Sequence, residues 1–135
     1  MLTRFVPRVL AALLVCLAVL VTGCSSGDGG QAESGSSAPA WAHGMPTVQA
    51  DRLPVEARRT LRLIDDGGPF PYAKDGSVFG NFEGELPKQR RGHYREYTVP
   101  TPGERDRGAR RIVTGSGGET YYTDDHYTSF KAVLR

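Results

Sequence analysis

The sequence predicts an α+β domain: one N-terminal helix packed on an antiparallel β-sheet. Leu53, Ala57, Leu61 and Ile64 recur at helical spacing and mark a single apolar stripe. After Gly67-Gly68-Pro69 the pattern shifts to short strand-like runs separated by glycine, proline and charged turns. One helix followed by several hairpin-linked strands is the α+β arrangement.

The chain opens with a targeting segment. Arg4 and Arg8 form a charged n-region, and Val9 to Val21 is an almost unbroken apolar run. That run is shorter than the roughly 20 apolar residues of a membrane span and matches a signal-peptide h-region. Val21-Thr22-Gly23-Cys24 resembles the bacterial lipobox, so residues 1–23 are expected to be a lipoprotein-type signal peptide and Cys24 the lipidated residue. The plainer alternative is ordinary cleavage nearby, with Cys24 incidental. Residues 24–47 are rich in Gly, Ser and Ala and bury too little surface to offset their ordering entropy. They are expected to form a flexible tether, with Trp41 the exception, either docked on the domain or exposed.

The two cysteines agree with this division. Cys16 leaves with the signal peptide and Cys24 carries lipid. The domain expected over residues 48–135 then has no disulfide and no thiolate metal site, and relies on its core alone. Removing Arg4 and Arg8 from 17 basic residues leaves 15, against 15 acidic. Attraction for nucleic acid must therefore be local, which excludes a protein that coats nucleic acid through overall charge.

Leu53-Pro54-Val55-Glu56 opens the helix, with Asp51 a candidate N-cap and Gly67-Gly68-Pro69 the stop. Arg58, Arg59 and Arg62 lie off the apolar stripe and face solvent. Prolines extend Pro69 to Tyr72, and Lys74 to Ser77 is turn chemistry. Ser77 to Phe79 is a short strand. His93 to Val99 alternates, with Tyr94, Glu96 and Thr98 on one face and Arg95, Tyr97 and Val99 on the other. Pro100 to Gly108 is a charged loop. Arg110 to Thr114, Glu119 to Thr123 and Ser129 to Leu134 are the remaining strands, with a turn over Gly115 to Gly118.

One carboxylate (Glu96), a cluster of arginines (Arg105, Arg107, Arg110, Arg111) and one histidine (His126) fall on or between these runs. A strand glutamate alone is usually a solvated charge, and a lone loop histidine is usually incidental. Together they are what phosphodiester cleavage without a metal requires. The Glu/His pair moves protons and the fixed positive charge stabilises an anionic transition state.

These residues sit in runs that resemble the small guanyl-specific ribonucleases of bacteria, the family of barnase and the secreted streptomycete enzymes. The resemblance covers nearly all of Val48 to Leu134. It is carried by Gly68-Pro-Phe-Pro-Tyr72, Asp75-Gly-Ser-Val-Phe79, Glu96-Tyr-Thr-Val99, Thr101-Pro-Gly103, Arg110-Arg-Ile-Val-Thr-Gly115 and Asp125-His-Tyr127. It implies the microbial ribonuclease fold and a residue-by-residue assignment. Glu96 matches the general base on the ribose 2′-OH, His126 the acid on the leaving 5′-oxygen, and Arg107 and Arg111 the phosphate ligands. Phe79, Gly80, Asn81, Phe82 and Glu83 match the guanine loop, whose backbone N–H groups face guanine O6 while the Glu83 carboxylate accepts from N1 and N2. Tyr127 matches an aromatic beside base or phosphate. Gly80 and Phe82 depart from the larger polar residues that often occupy that loop.

The resemblance implies an exported, guanyl-specific, monomeric endoribonuclease acting on single-stranded RNA through a 2′,3′-cyclic phosphate, with no cofactor or metal. Its only link to the membrane would be the lipid anchor, on the outer face. Two other readings share the scaffold. One is a surface lipoprotein that binds RNA or a partner without turnover, which the intact Glu96, Arg107, Arg111 and His126 set argues against. The other is a toxin ribonuclease paired with a barstar-like inhibitor, which differs only in biology.

Overall fold

The computed structural model describes residues 38–135. The expected signal peptide, Cys24 and the first part of the tether lie outside the described residues. Helix α1 spans Val55–Asp66 and buries Ala57, Thr60 and Leu61, while Arg58, Arg59 and Arg62 are exposed. Pro54 occupies the N-cap, with no side chain capping the helix. Asp51 is not the cap; it falls in a 3-10 turn over Ala50–Arg52. At the other end Gly67 adopts φ +77°, and the N–H groups of Gly67 and Gly68 donate to the carbonyls of Ile64 and Leu63 at 3.2 and 2.8 Å. That left-handed turn suits glycine and satisfies the last carbonyls of the helix.

The sheet has six strands: β1 (Thr47–Gln49), β2 (Ser77–Val78), β3 (Tyr94–Thr98), β4 (Arg111–Gly115), β5 (Thr120–Thr123) and β6 (Lys131–Leu134). Their spatial order is β1-β6-β5-β4-β3-β2. β2 to β6 pair antiparallel, as the hairpin signals predict. β1 is an addition. It pairs with β6 in parallel, Thr47 opposite Ala132 and Gln49 opposite Leu134, so the sheet is mixed at this edge.

The packed body begins at Ala38, not at residue 48. Ala42 is 1% exposed and belongs to a core cluster with Leu86, Tyr94, Val113, Tyr121, Phe130 and Ala132. Trp41 docks edge-on against Tyr121, ring centroids 5.3 Å apart, and its carbonyl accepts from the Tyr121 hydroxyl at 3.3 Å. The expected tether therefore ends earlier. Its last residues cover the face of the sheet that α1 leaves open, a packing that local composition does not reveal.

Register sorts the two faces. Val99, Ile112, Tyr122 and Val133 pack against Leu53, Ala57 and Leu61 beneath α1. On the opposite face Glu96, Val113, Tyr121 and Ala132 form one row across four strands, and Thr98, Arg111 and Thr123 form the next. Directly paired residues share a face. The row that holds Glu96 is thus built on the face away from the helix, where loops can reach it.

Candidate active site

Glu96 sits mid-strand with both oxygens engaged. Oε1 accepts from Arg107 Nη2 at 2.8 Å and Oε2 from the Tyr127 hydroxyl at 2.7 Å. Arg107 also donates through Nε to Thr98 Oγ1 at 2.9 Å, which aligns the guanidinium along β3. Arg111, on the neighbouring strand, is 2% exposed. Its Nε donates to Tyr127 Oη at 3.0 Å, and its Nη1 faces the carbonyls of Arg107, Gly108 and Arg110 at 3.2, 3.0 and 2.8 Å. A buried charge needs such partners, and here backbone carbonyls supply most of them. Tyr127 is the link between Glu96 and Arg111. Burial, with the Glu96 hydrogen bond next, pushes its phenol up to about 12, so it stays a donor across the neutral range.

The loop between β5 and β6 presents His126 and Tyr127. Both have left-handed backbones, φ +57° and +71°. Such values are uncommon outside glycine and cluster at functional sites, where the surroundings hold them. Asp125 is the holder. Its Oδ1 accepts from Thr123 Oγ1 at 2.8 Å and from Ser129 N–H at 2.9 Å, and its Oδ2 accepts from the Ser129 hydroxyl. Those bonds, Ser129 foremost, lower the Asp125 carboxyl to about 2. Thr123 Oγ1 in turn accepts from Tyr127 N–H at 3.2 Å, and His126 N–H donates to Ala109 O at 3.1 Å. The His126 side chain is exposed and lines an open hollow with Arg107, Arg111, Gly108 and Ala109.

Beside this cluster lies a cleft of about 300 Å³ lined by Val78, Phe79, Gly80, Asn81, Phe82, Glu83, Glu85, Glu96, Tyr127 and Phe130. Phe79 stacks on Tyr127 with ring centroids 5.0 Å apart and planes at 24°. Asn81 staples the loop: its Nδ2 donates to Leu86 O at 2.9 Å and its Oδ1 accepts from Leu86 N–H at 3.1 Å. Its φ of +50° is one that Asn tolerates better than most residues. The Phe82 ring, 94% exposed, lies across Gly80.

The residues expected at the site thus divide into two touching groups. Glu96, Arg107, Arg111 and Tyr127 form one hydrogen-bonded set, and His126 shares the hollow with the two arginines. Phe79 to Glu83 form the adjoining cleft, which Glu96 and Tyr127 also line. Glu83 is exposed at its rim. Arg105 is exposed and Arg110 half-buried, and neither makes a bond within this set. Thr98, Asp125 and Glu85 are additions. Thr98 follows Glu96 on the same face, so strand alternation alone could have flagged it. Asp125 shows in the sequence only as the neighbour of His126 in the Asp125-His-Tyr127 run. Among the described residues no group of three or more His, Cys, Asp or Glu could hold a metal ion.

Comparison with known proteins places the chain among relatives of one kind. The ribonuclease family model matches residues 36–134. The guanyl-specific ribonuclease St of Saccharopolyspora erythraea is 54% identical over 91 residues, spanning 67% of this chain and 90% of that protein. The guanyl-specific ribonuclease Sa of Kitasatospora aureofaciens is 56% identical over 88 residues, spanning 64% and 92%. A crystal structure of ribonuclease Sa2 with guanosine-2′-cyclophosphate superposes with a TM-score of 0.64 at 49% identity, covering 67% of this chain and 96% of that one. With a fold, a match over residues 36–134 and relatives that all point one way, the chain belongs to the family of bacterial guanyl-specific ribonucleases.

Proposed function

We propose that this protein is an exported guanyl-specific endoribonuclease that cleaves single-stranded RNA by metal-independent transesterification to a 2′,3′-cyclic phosphate. The observation that carries the reading is the Glu96–Arg107 and Glu96–Tyr127–Arg111 set, flanked on one side by the cleft and on the other by the His126 hollow. A guanine in the cleft would place its ribose over Glu96 and its 3′-phosphate toward the arginines. Glu96 takes the proton from the 2′-OH. The oxygen attacks phosphorus, and Arg107 and Arg111 carry the charge that develops on the phosphoryl oxygens. His126 gives its proton to the departing 5′-oxygen. The Nη1 and Nε of Arg111 are fixed by protein atoms, so its orientation is set before substrate arrives.

Guanine presents an acceptor at O6 beside donors at N1 and N2. Backbone N–H groups with one carboxylate complement that edge, and adenine lacks it. Glu83 is assigned the carboxylate. DNA is inert because it has no 2′-OH nucleophile. The decisive assay is cleavage of a GpN dinucleotide by the purified protein in the presence of a chelator. Rapid cleavage of GpN with ApN spared supports the reading, and dependence on added metal or equal rates on the two substrates refutes it. Export and anchoring rest on the first 24 residues of the sequence. Cys24→Ser should block processing or move the protein from the membrane fraction to the medium, because stable retention needs more than one acyl chain. Unchanged processing and fractionation would remove the anchor.

A further inference from the structure

A second groove lies on the other side of the guanine loop. It has a volume of about 420 Å³ and shares Val78 to Phe82 with the cleft as a common wall. Its far wall is Lys88, Arg90, Arg91 and Tyr94. The three cations are exposed, form no ion pair among the described residues, and meet no carboxylate in the groove lining. In a chain with 17 basic and 15 acidic residues, this is a local concentration of unpaired positive charge.

The cationic segment is held in place. Tyr94, 3% exposed, donates its hydroxyl to Pro87 O at 2.6 Å, and His93 N–H closes a turn onto Arg90 O at 3.1 Å. The His93 ring is itself gripped on both sides, Nε2 by Glu119 Oε2 at 2.7 Å and Nδ1 by Ser116 Oγ at 2.9 Å. On the shared wall stands Phe82, almost wholly exposed. Cations carried on an anchored backbone beside a bare aromatic ring are the elements of a single-strand nucleic-acid surface: charge for the backbone, a π-face for a base.

We propose that this groove binds the RNA on the 5′ side of the scissile guanosine, its cations on the backbone phosphates and Phe82 under a flanking base. The inference rests on the assignment of the cleft to guanine. The direction follows from the layout. The hollow of Arg107, Arg111 and His126 takes the 3′-phosphate, and the groove shares no residue with it. A strand that enters the site at the guanosine and leaves through the hollow has its other end free for the groove.

The test uses oligonucleotides that cannot be cleaved because the guanosine is 2′-deoxy: a dinucleotide, one extended by three uridines at the 5′ end, and one extended by three at the 3′ end. Binding is followed by fluorescence anisotropy at several salt concentrations, for the wild type and for the Lys88→Ala/Arg90→Ala/Arg91→Ala variant. The 5′-extended strand should bind the variant at least about tenfold more weakly at low salt. Its log–log salt slope should drop by about 0.7 for each phosphate that the variant no longer neutralises. The dinucleotide is too short to reach the groove and should bind both proteins alike. Equal binding of the 5′-extended strand by both proteins would overturn the proposal. So would a loss confined to the 3′-extended strand, or an equal loss on the dinucleotide. A dGpU dinucleotide held no better than dApU would count against the guanine assignment, while the extension arm still reads the groove separately.

Discussion

Phe82 occupies the space that a side chain at position 80 would need. A Cβ built on Gly80 would lie 2.4 Å from Phe82 Cε2 and 2.5 Å from Cζ. The two departures from the usual guanine loop are therefore one feature: the glycine makes room for the ring. Because the obstructing atoms are the free end of an exposed side chain, Gly80→Ala should cost little stability, within about 0.5 kcal/mol. It should instead displace the ring. A double-mutant cycle on guanosine 3′-monophosphate affinity, with Gly80→Ala and Phe82→Ala, should show coupling. Additive effects would mean that the ring position does not matter to binding.

Tyr127→Phe removes the hydroxyl between Glu96 Oε2 and Arg111 Nε. The change leaves a buried guanidinium N–H without an acceptor, which costs about 1–3 kcal/mol. Urea unfolding should show it. The wild type should also carry a pH signature in the alkaline range. The folded phenol is pushed up to about 12 from an ordinary value of 10.0. A raised value means that the protonated form is favoured by folding. This contribution is complete below pH 10 and fades as the pH rises toward 12. Tyr127→Phe should lose that part of the alkaline decline and keep the rest.

Asp125 gives the opposite sign. Its folded carboxyl is lowered from 3.8 to about 2, so its contribution is present above the ordinary value and is lost as the pH falls through that window. Asp125→Asn should flatten the acid limb of the stability curve there. At neutral pH it should also loosen the loop that carries His126 and Tyr127, which is read as faster amide exchange at those two residues. Unchanged exchange would assign the loop geometry to other interactions.

Glu96→Gln and His126→Ala should each keep the fold and lose about 10²–10⁴-fold in kcat/KM, the usual worth of a positioned proton-transfer group. The parent enzyme should show a rate that falls on both sides of an optimum. A rate that changes in one direction only would argue against a paired base and acid.

Glu83→Ala should act on base choice. A hydrogen bond to a charged group contributes roughly 1.5–3 kcal/mol, or about one to two decades on GpN. Cleavage of ApN should hardly change, so the two substrates should converge. Equal losses on both would move Glu83 into the catalytic set or the fold.

The sequence showed the elements whose cause is local. The alternation of Tyr94 to Thr98 carried β3 and its facing, since Tyr94 and Thr98 are buried and Arg95 exposed. The apolar stripe and Gly67 bounded α1. What escaped depends on distant partners. β1 is three residues long and owes its pairing to the end of the chain, so no periodicity could announce it. Ala42 looked like linker, and whether Trp41 docked or stayed exposed was open until Tyr121 was beside it. In the site, residue types pointed to Glu96, His126 and a cluster of arginines, and the family resemblance to Arg107 and Arg111 within it. The bridging role of Tyr127 did not appear, because it depends on two successive left-handed residues in a loop with no glycine to advertise them.

The helix and the row that holds Glu96 stand on opposite faces of one sheet. Arg58 and Arg62 are exposed on α1, on the side of the sheet opposite the row that holds Glu96. That separation gives the molecule a natural handle. A dye, a surface linkage or a fusion attached through a cysteine placed at position 58 or 62 should leave the Glu96 face open to a bulky polymer. The same chemistry applied to the loops around His126 would block it.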